Sequence, residues 1–194
     1  KFISMHTIVD YLSNYGEEIA LVLIGGVNYY TGQAFDMAAI TDKAQNCGCR
    51  VGFDLAHAAG NIKLNLHDWG VDFAAWCGYK YLNGGPGSPS GVFIHERHLG
   101  RLDLPRFEGW WGHEKSTRFD MLEDYKPQET VEAWQLSNPP ILSMAPLLAS
   151  LKIFQEAGMK SLRGKSEKLT SYLEGLINSR FEKKIEIITP NSLQ

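Results

Sequence analysis

The sequence predicts an α/β domain: a mainly parallel sheet with helices on both faces, a three-layer α/β/α arrangement. Three features predict it. Short runs of strand length, Ile19 to Ile24, Arg50 to Asp54 and Val71 to Trp76, alternate with segments of helical periodicity. The first run is apolar throughout rather than alternating, as expected of a strand buried on both faces. Glycines follow the first and third runs, Gly25-Gly26 and Gly78, where a strand would give way to a loop. The β-α-β order implies right-handed crossovers.

Taken in order, Thr7 to Tyr15 carries Ile8, Val9 and Leu12 at helical spacing, with Thr7 as the expected cap and Gly16 as the stop. The Ile19 to Ile24 strand follows. Asp36 to Asn46 reads as a helix that stops near Gly48, and Arg50 to Asp54 as the next strand. After Val71 to Trp76, Gly91 to His95 is expected as an edge or antiparallel strand. Residues 101 to 138 show no period. Asn138 is a turn or cap signal ahead of a helix from Ile141 to Ala157, in which Leu147, Leu148, Leu151 and Phe154 share a face and Gly158 ends the run. Ser161 to Phe181 is a second amphipathic helix, with Leu162, Leu169, Leu173, Leu176 and Ile177 on one face. Ile185 to Ile188 is strand-like.

With 194 residues, 44% of them hydrophobic, and a net charge of −3, the chain suits one large domain and the start of a second. The expected division is 1–140 and 141–194. No basic stripe points to nucleic acid, and no apolar run reaches membrane-spanning length. With no signal-peptide pattern and an odd set of cysteines, Cys47, Cys49 and Cys77, a reduced cytoplasmic setting is expected. The chain opens at Lys1 without a methionine and stops at Gln194 soon after the strand-like run, so it reads as the interior of a longer protein.

Chemistry concentrates in Trp76-Cys77-Gly78-Tyr79-Lys80-Tyr81-Leu82-Asn83 and the Gly/Pro-rich run from Gly84 to Gly91. A lysine leaving a buried strand is expected to lose part of its hydration. Desolvation disfavours an ammonium, and a free amine can form a Schiff base with a carbonyl or with pyridoxal phosphate. Taken alone, Lys80 reads first as a snorkelling strand-end lysine, and it is the neighbouring segments that favour chemistry. The second informative segment is Asp54-Leu55-Ala56-His57. A carboxylate at a strand end can keep a pyridine nitrogen protonated, and His57 is placed to touch such a ring or to order Asp54. Singly, Asp54 is a helix cap and His57 an interior histidine. Ligands of open α/β sheets bind beyond the carboxyl ends of the strands, and Gly25-Gly26, Asp54 and Lys80 are all expected there.

These segments resemble the kynureninases, pyridoxal-phosphate enzymes of the fold-type-I aminotransferase superfamily, the PLP-dependent transferases built like aspartate aminotransferase. The resemblance rests on six ordered motifs. They are Tyr29-Tyr30-Thr31-Gly32-Gln33, Gly52 to Ala58, Leu66 to Phe73, Tyr79 to Asn83, Gly109-Trp110-Trp111-Gly112-His113-Glu114, and Ser137-Asn138-Pro139-Pro140. Related desulfurases and class V aminotransferases share the Asp-then-Lys order. They usually carry a histidine where this chain has Tyr79, and they lack the Gly-Trp-Trp-Gly-His-Glu segment.

The resemblance implies a role for each matching residue. Lys80 would hold the cofactor as a Schiff base and move protons at the substrate α-carbon. Asp54 would pair with the pyridine nitrogen, with His57 beside it. Tyr79 would reach the cofactor phosphate and serve in acid/base chemistry. Trp110 and Asn138 would lie near the phosphate, supplied by the partner in a homodimer. Ser137 and Asn138 would meet the aromatic end of the substrate. The implied reaction is hydrolysis of L-kynurenine, or its 3-hydroxy form, to the anthranilate and L-alanine, a step of tryptophan catabolism and NAD biosynthesis. Gly25 departs from relatives that carry a hydroxyl residue there. The main phosphate cradle and the arginine that grips the substrate carboxylate have no counterpart in this chain.

Other readings of the same residues are weaker. Cys47-Gly48-Cys49 with Cys77, His57 and His67 fits no common zinc spacing. The Gly84 to Gly91 run lacks the Gly-Lys-Ser/Thr ending of a nucleotide loop and reads as a turn close to the cofactor. A desulfurase needs a reactive cysteine on a mobile loop, and none of the three is placed for it. A second class of reading, a structural or dimerisation piece without its own chemistry, remains beside the enzyme.

Overall fold

A computed structural model describes residues 2–181 and 184–190. The last residues of the expected second region, 191–194, therefore lie outside it, as do Lys1 and residues 182–183. Four strands form one sheet in the order β1-β2-β3-β4: β1 Leu21–Gly25, β2 Arg50–Asp54, β3 Phe73–Trp76 and β4 Gly91–Ile94. The first three are parallel and in register, Gly25 beside Asp54 and Asp54 beside Ala75, so their carboxyl ends lie in one row. The fourth closes the sheet as an antiparallel edge, as its place after a Gly/Pro loop predicts.

Helix α1 (Met5–Tyr15) packs on α2 (Met37–Asn46), and α2 packs on β2. The core between them is aliphatic and tight: Ile40, Val51, Phe53, Leu55 and Val71 are fully buried, with Leu12, Met37 and Ala44 around them. Asp36 caps α2 by accepting from the Ala39 N–H at 3.0 Å, as its position ahead of the apolar period predicts.

Several boundaries differ from the sequence reading, each for a local reason. Ser4, not Thr7, caps α1. Its hydroxyl accepts from the Thr7 N–H, so Thr7 lies inside the first turn. The third strand starts at Phe73 rather than Val71 because the Asp72 carboxylate, not a backbone carbonyl, takes the Val51 N–H at 2.8 Å. The first starts at Leu21, and its faces differ. Val22 is buried, whereas Leu21 and Leu23 are 47% and 55% exposed. The described residues thus cover one face of β1 with helices and leave the other open. Helix α3 (Ile141–Ala157) keeps the expected bounds but begins on Pro140 with no side-chain cap from Asn138. Helix α4 (Met159–Phe181) starts two residues before the expected Ser161, because Gly158, with φ +74°, turns the chain directly from one helix into the next. Of the apolar faces expected there, Leu148, Leu151, Leu169 and Leu173 are exposed. Ile185 to Ile188 is not a strand: an apolar run becomes one only by pairing, and it has no ladder partner among the described residues.

Candidate functional site

The row of carboxyl ends carries the site. Beyond β1, β2 and β3 lies a pocket of about 420 Å³, lined by Gly25, Val27, Asn28, Tyr29, Asp54, Ala56, His57 and Lys80. Parallel pairing puts these residues together: the Gly26 N–H donates to the Asp54 carbonyl at 2.9 Å, and the Leu55 N–H to the Ala75 carbonyl at 2.8 Å. Three residues expected here from three separate stretches of sequence, Gly25, Asp54 and Lys80, thereby meet on one pocket wall.

Lys80 sits on a turn that follows β3. The Asn83 N–H donates to its carbonyl at 3.0 Å, and Asn83 itself takes a left-handed φ of +54°. Behind the turn, Gly60 (φ +80°) lies so close that a Cβ would stand 2.9 Å from the Tyr81 backbone. Only glycine meets both demands. The half-buried Lys80 side chain points to His57, with Nζ 2.9 Å from Nε2. The His57 ring stands between two tyrosines, with Tyr29 at 6.2 Å and Tyr81 at 6.1 Å between centroids. Tyr79 is exposed, its ring centroid 5.8 Å from the Lys80 amine.

Asp54 is ordered by backbone rather than by His57, whose ring nitrogen turns to Lys80 instead. The Asp54 Oδ1 accepts from the Ala56 N–H at 2.8 Å, and its other oxygen has no hydrogen-bond partner among the described residues. The donor set suits a pyridine aldehyde: an open carboxylate oxygen for a ring nitrogen, an amine for the carbonyl, and a volume fit for a small ring. Among the lining residues Lys80 is the only cation, so they supply no second cation for a phosphate.

The other expected residues stand apart from this pocket. Trp110 is half-exposed, on a short turn with Trp111 and edge-on to Phe119 at 5.5 Å. Trp111 is half-buried and carries the Arg118 guanidinium 4.2 Å above its ring. Ser137 and Asn138 are exposed and bond each other, the Ser137 hydroxyl to Asn138 Oδ1 at 3.1 Å. Neither segment lines the Lys80 pocket. The cysteines lie outside the Lys80 pocket. Cys47 and Cys49 donate to the Leu12 and Gly16 carbonyls, and burial, with Cys47 alongside, pushes the Cys49 thiol up, away from its reactive form. Cys77 is half-buried.

Two groups were not legible as such. Asn28, in the pocket wall, accepts the Tyr30 and Thr31 N–H groups at 3.0 Å and so turns the loop after β1. An Asn two residues beyond a Gly-Gly strand end is a turn signal. Asp72 is buried at the opposite, amino ends of the strands. Burial alone would raise its carboxyl, but hydrogen bonds from Arg97, the Val51 N–H, His98 and Gln45 outweigh it and hold it at about 2. An aspartate inside an apolar run is the signal for such an anchor.

The aminotransferase class-V family model matches residues 4–193. Kynureninase from Myxococcus xanthus is 57% identical over 187 residues, 96% of this chain and 44% of that protein. Kynureninase from Flavobacterium johnsoniae is 55% identical over 193 residues, 98% of this chain and 45% of that protein. The chain thus spans less than half the length of these relatives. Among solved structures, a cysteine desulfurase from Thermococcus onnurineus NA1 superposes with a TM-score of 0.70 at 23% identity, over 95% of this chain and 44% of that one. Alanine–glyoxylate aminotransferase from Nostoc sp. gives 0.66 at 18% identity, over 92% and 45%. At such identities these two establish the fold alone, the one the sequence predicts. The match from residue 4 to residue 193 identifies the chain as a member of the aminotransferase class-V family.

Proposed function

We propose that this chain carries the cofactor lysine and its carboxylate partner in a kynureninase, an enzyme that hydrolyses L-kynurenine or 3-hydroxykynurenine to the matching anthranilate and L-alanine. The observation that carries the proposal is Lys80 and Asp54 on the wall of one pocket beyond parallel strands. The 53–57% identity to kynureninases supports the choice of substrate. Pyridoxal phosphate is the family's cofactor, and when bound it supplies the electron sink for carbanion chemistry at the substrate α-carbon.

Each residue then has work of its own. Lys80 binds the cofactor through Nζ, and afterwards takes and returns the proton at the substrate α-carbon. Asp54 directs its open oxygen at the pyridine nitrogen and keeps a proton there by a charge-assisted hydrogen bond. Tyr79, exposed and with its ring centroid 5.8 Å from the Lys80 amine, moves a proton at the side-chain carbonyl as water adds. Trp110 and Asn138 act across a homodimer, reaching the phosphate of the partner's site, and Ser137 and Asn138 orient the aromatic end of the substrate. The exposed positions of these three residues, away from the pocket of their own chain, support that arrangement. Residues 1–140 form the cofactor-binding portion, and 141–194 the connection to a smaller domain. The setting is cytoplasmic; no described helix is long and apolar enough to cross a membrane.

The test is borohydride reduction of the protein with pyridoxal phosphate, then peptide mapping, alongside fluorescence detection of anthranilate from L-kynurenine. A pyridoxyl adduct on Lys80, and loss of both adduct and turnover in Lys80→Ala, is expected. Normal steady-state turnover in Lys80→Ala would overturn the assignment.

A further inference from the structure

The contact between Lys80 Nζ and His57 Nε2 is a direct 2.9 Å hydrogen bond between two groups that both carry protons when charged. Such a bond forms when one partner offers a lone pair to an N–H of the other. Both side chains line the pocket described above. Both also line a larger, open groove of about 1050 Å³ that runs on to α3 and α4 past Tyr81, Pro146 and Phe154. The pair therefore faces two cavities, both open to solvent. We propose that His57 is the proton acceptor through which Lys80 becomes a nucleophile when it captures the cofactor aldehyde. The inference rests on the reading of Lys80 as the cofactor lysine.

The balance is simple. An ammonium and an aldehyde give a protonated C=N bond and water. Lys80 forms the bond from Nζ to the aldehyde carbon, the C–O bond breaks, and two Nζ protons leave with that oxygen. His57 Nε2 takes a proton from Nζ as the bond forms and returns it to the departing oxygen. Among the described residues no other side chain hydrogen-bonds Nζ. Asp54 lines the same pocket but is committed to the Ala56 N–H through one oxygen, and the Tyr79 ring centroid is 5.8 Å from Nζ. Tyr29 and Tyr81 flank the imidazole at about 6 Å, and the groove residues from α3 and α4, Pro146, Ala149, Ser150, Ile153, Phe154, Leu162 and Ser166, bring no charge.

The test measures capture of pyridoxal phosphate by the cofactor-free protein, by stopped-flow absorbance from pH 6 to pH 9, with no substrate present. His57→Gln keeps a hydrogen-bond acceptor for Nζ but cannot take the proton; His57→Phe loses both. Near pH 7 both variants are expected to capture the cofactor at least about tenfold more slowly than the unaltered protein, with the gap closing towards pH 9. Borohydride mapping at long times should still place the adduct on Lys80 in all three. A rate for His57→Gln equal to that of the unaltered protein, or a deficit that does not change with pH, would reduce His57 to a positioning or binding residue and overturn the proposal. If a variant fails to fold, the unaltered protein decides: capture should show a solvent deuterium isotope effect above unity, and a value of one refutes proton transfer. Absence of any adduct on Lys80 in the unaltered protein would refute the cofactor assignment itself, a distinct result.

Discussion

Asp72→Asn should cost about 3–5 kcal/mol of stability at neutral pH, a large part of what a domain of this size has. The carboxylate is 4% exposed and surrounded by donors alone. Oδ2 accepts from the Val51 N–H at 2.8 Å and Gln45 Nε2 at 3.2 Å; Oδ1 accepts from Arg97 Nη2 at 2.7 Å and His98 Nε2 at 2.6 Å. An asparagine presents one oxygen and one NH₂, so on one side donor faces donor, and the buried end of Arg97 loses its counter-charge. The charge itself contributes a calculable share. A carboxyl held at about 2 in the folded chain, against an ordinary 3.8, contributes about 2 kcal/mol. Because the folded value is the lower one, that share is present above about pH 4 and is lost as the pH falls through about 2. Urea denaturation at pH 7 and pH 3 measures both parts. The midpoint should fall by about 1–3 M in the variant at pH 7 without a change of slope, and the gap to the unaltered protein should narrow at pH 3. A cost under about 1 kcal/mol at pH 7, or a gap constant with pH, would refute the claim that Asp72 anchors the strands as an ion.

Other consequences are as direct. Gly52→Ala places a methyl inside the Phe73 ring that faces it across β2 and β3, and should cost about 1–3 kcal/mol; Phe73→Leu should recover most of that in a double-mutant cycle read by thermal unfolding. Gly60→Ala strains a left-handed φ and pushes on the Tyr81 backbone, so the turn bearing Lys80 should shift; a lowered yield of borohydride-trapped cofactor, beyond the loss of stability, is the readout. If Trp110 and Asn138 serve the partner's site, a mixture of Lys80→Ala and Trp110→Ala proteins, refolded together, should regain about a quarter of full activity through mixed dimers. No recovery would place Trp110 in the site of its own chain, or outside any site.

What the sequence made legible follows the range of the forces involved. The strands, α2, α3 and the antiparallel edge were readable because apolar period, caps and glycine stops are local and agree with one another. The convergence of Gly25, Asp54 and Lys80 was readable one step further, because parallel strands align their carboxyl ends whatever the loops do. Contacts between stretches were not. Nothing local says that the His57 imidazole meets Lys80 rather than Asp54, since Ala56 and His57 stand two and three residues beyond Asp54, both within reach of its carboxylate, and only the fold decides which of them meets it. Likewise Ile185 to Ile188 has the composition of a strand, but a strand is a property of a pair. The burial of Leu21 and Leu23 also depends on what lies across the sheet, which their own run of residues cannot state.

Two aspartates at opposite ends of the same sheet show how function can be separated from structure without reference to sequence relatives. Asp72 has both oxygens filled, by backbone, amide, guanidinium and imidazole donors from three segments of chain. A carboxylate so satisfied has nothing left to offer a ligand, and its removal is felt as stability. Asp54, at the other end, has one oxygen on a backbone N–H and the other open to a pocket that also holds an amine. Leaving an acceptor unfilled beside a lysine sacrifices an interaction the fold could have made, and the fold gives Lys80 to His57 instead. The unfilled oxygen is therefore the mark of a group kept for something that binds. It predicts that Asp54→Asn, unlike Asp72→Asn, should leave the urea midpoint nearly unchanged while weakening cofactor retention, because only the first variant alters a group whose partner is not part of the fold.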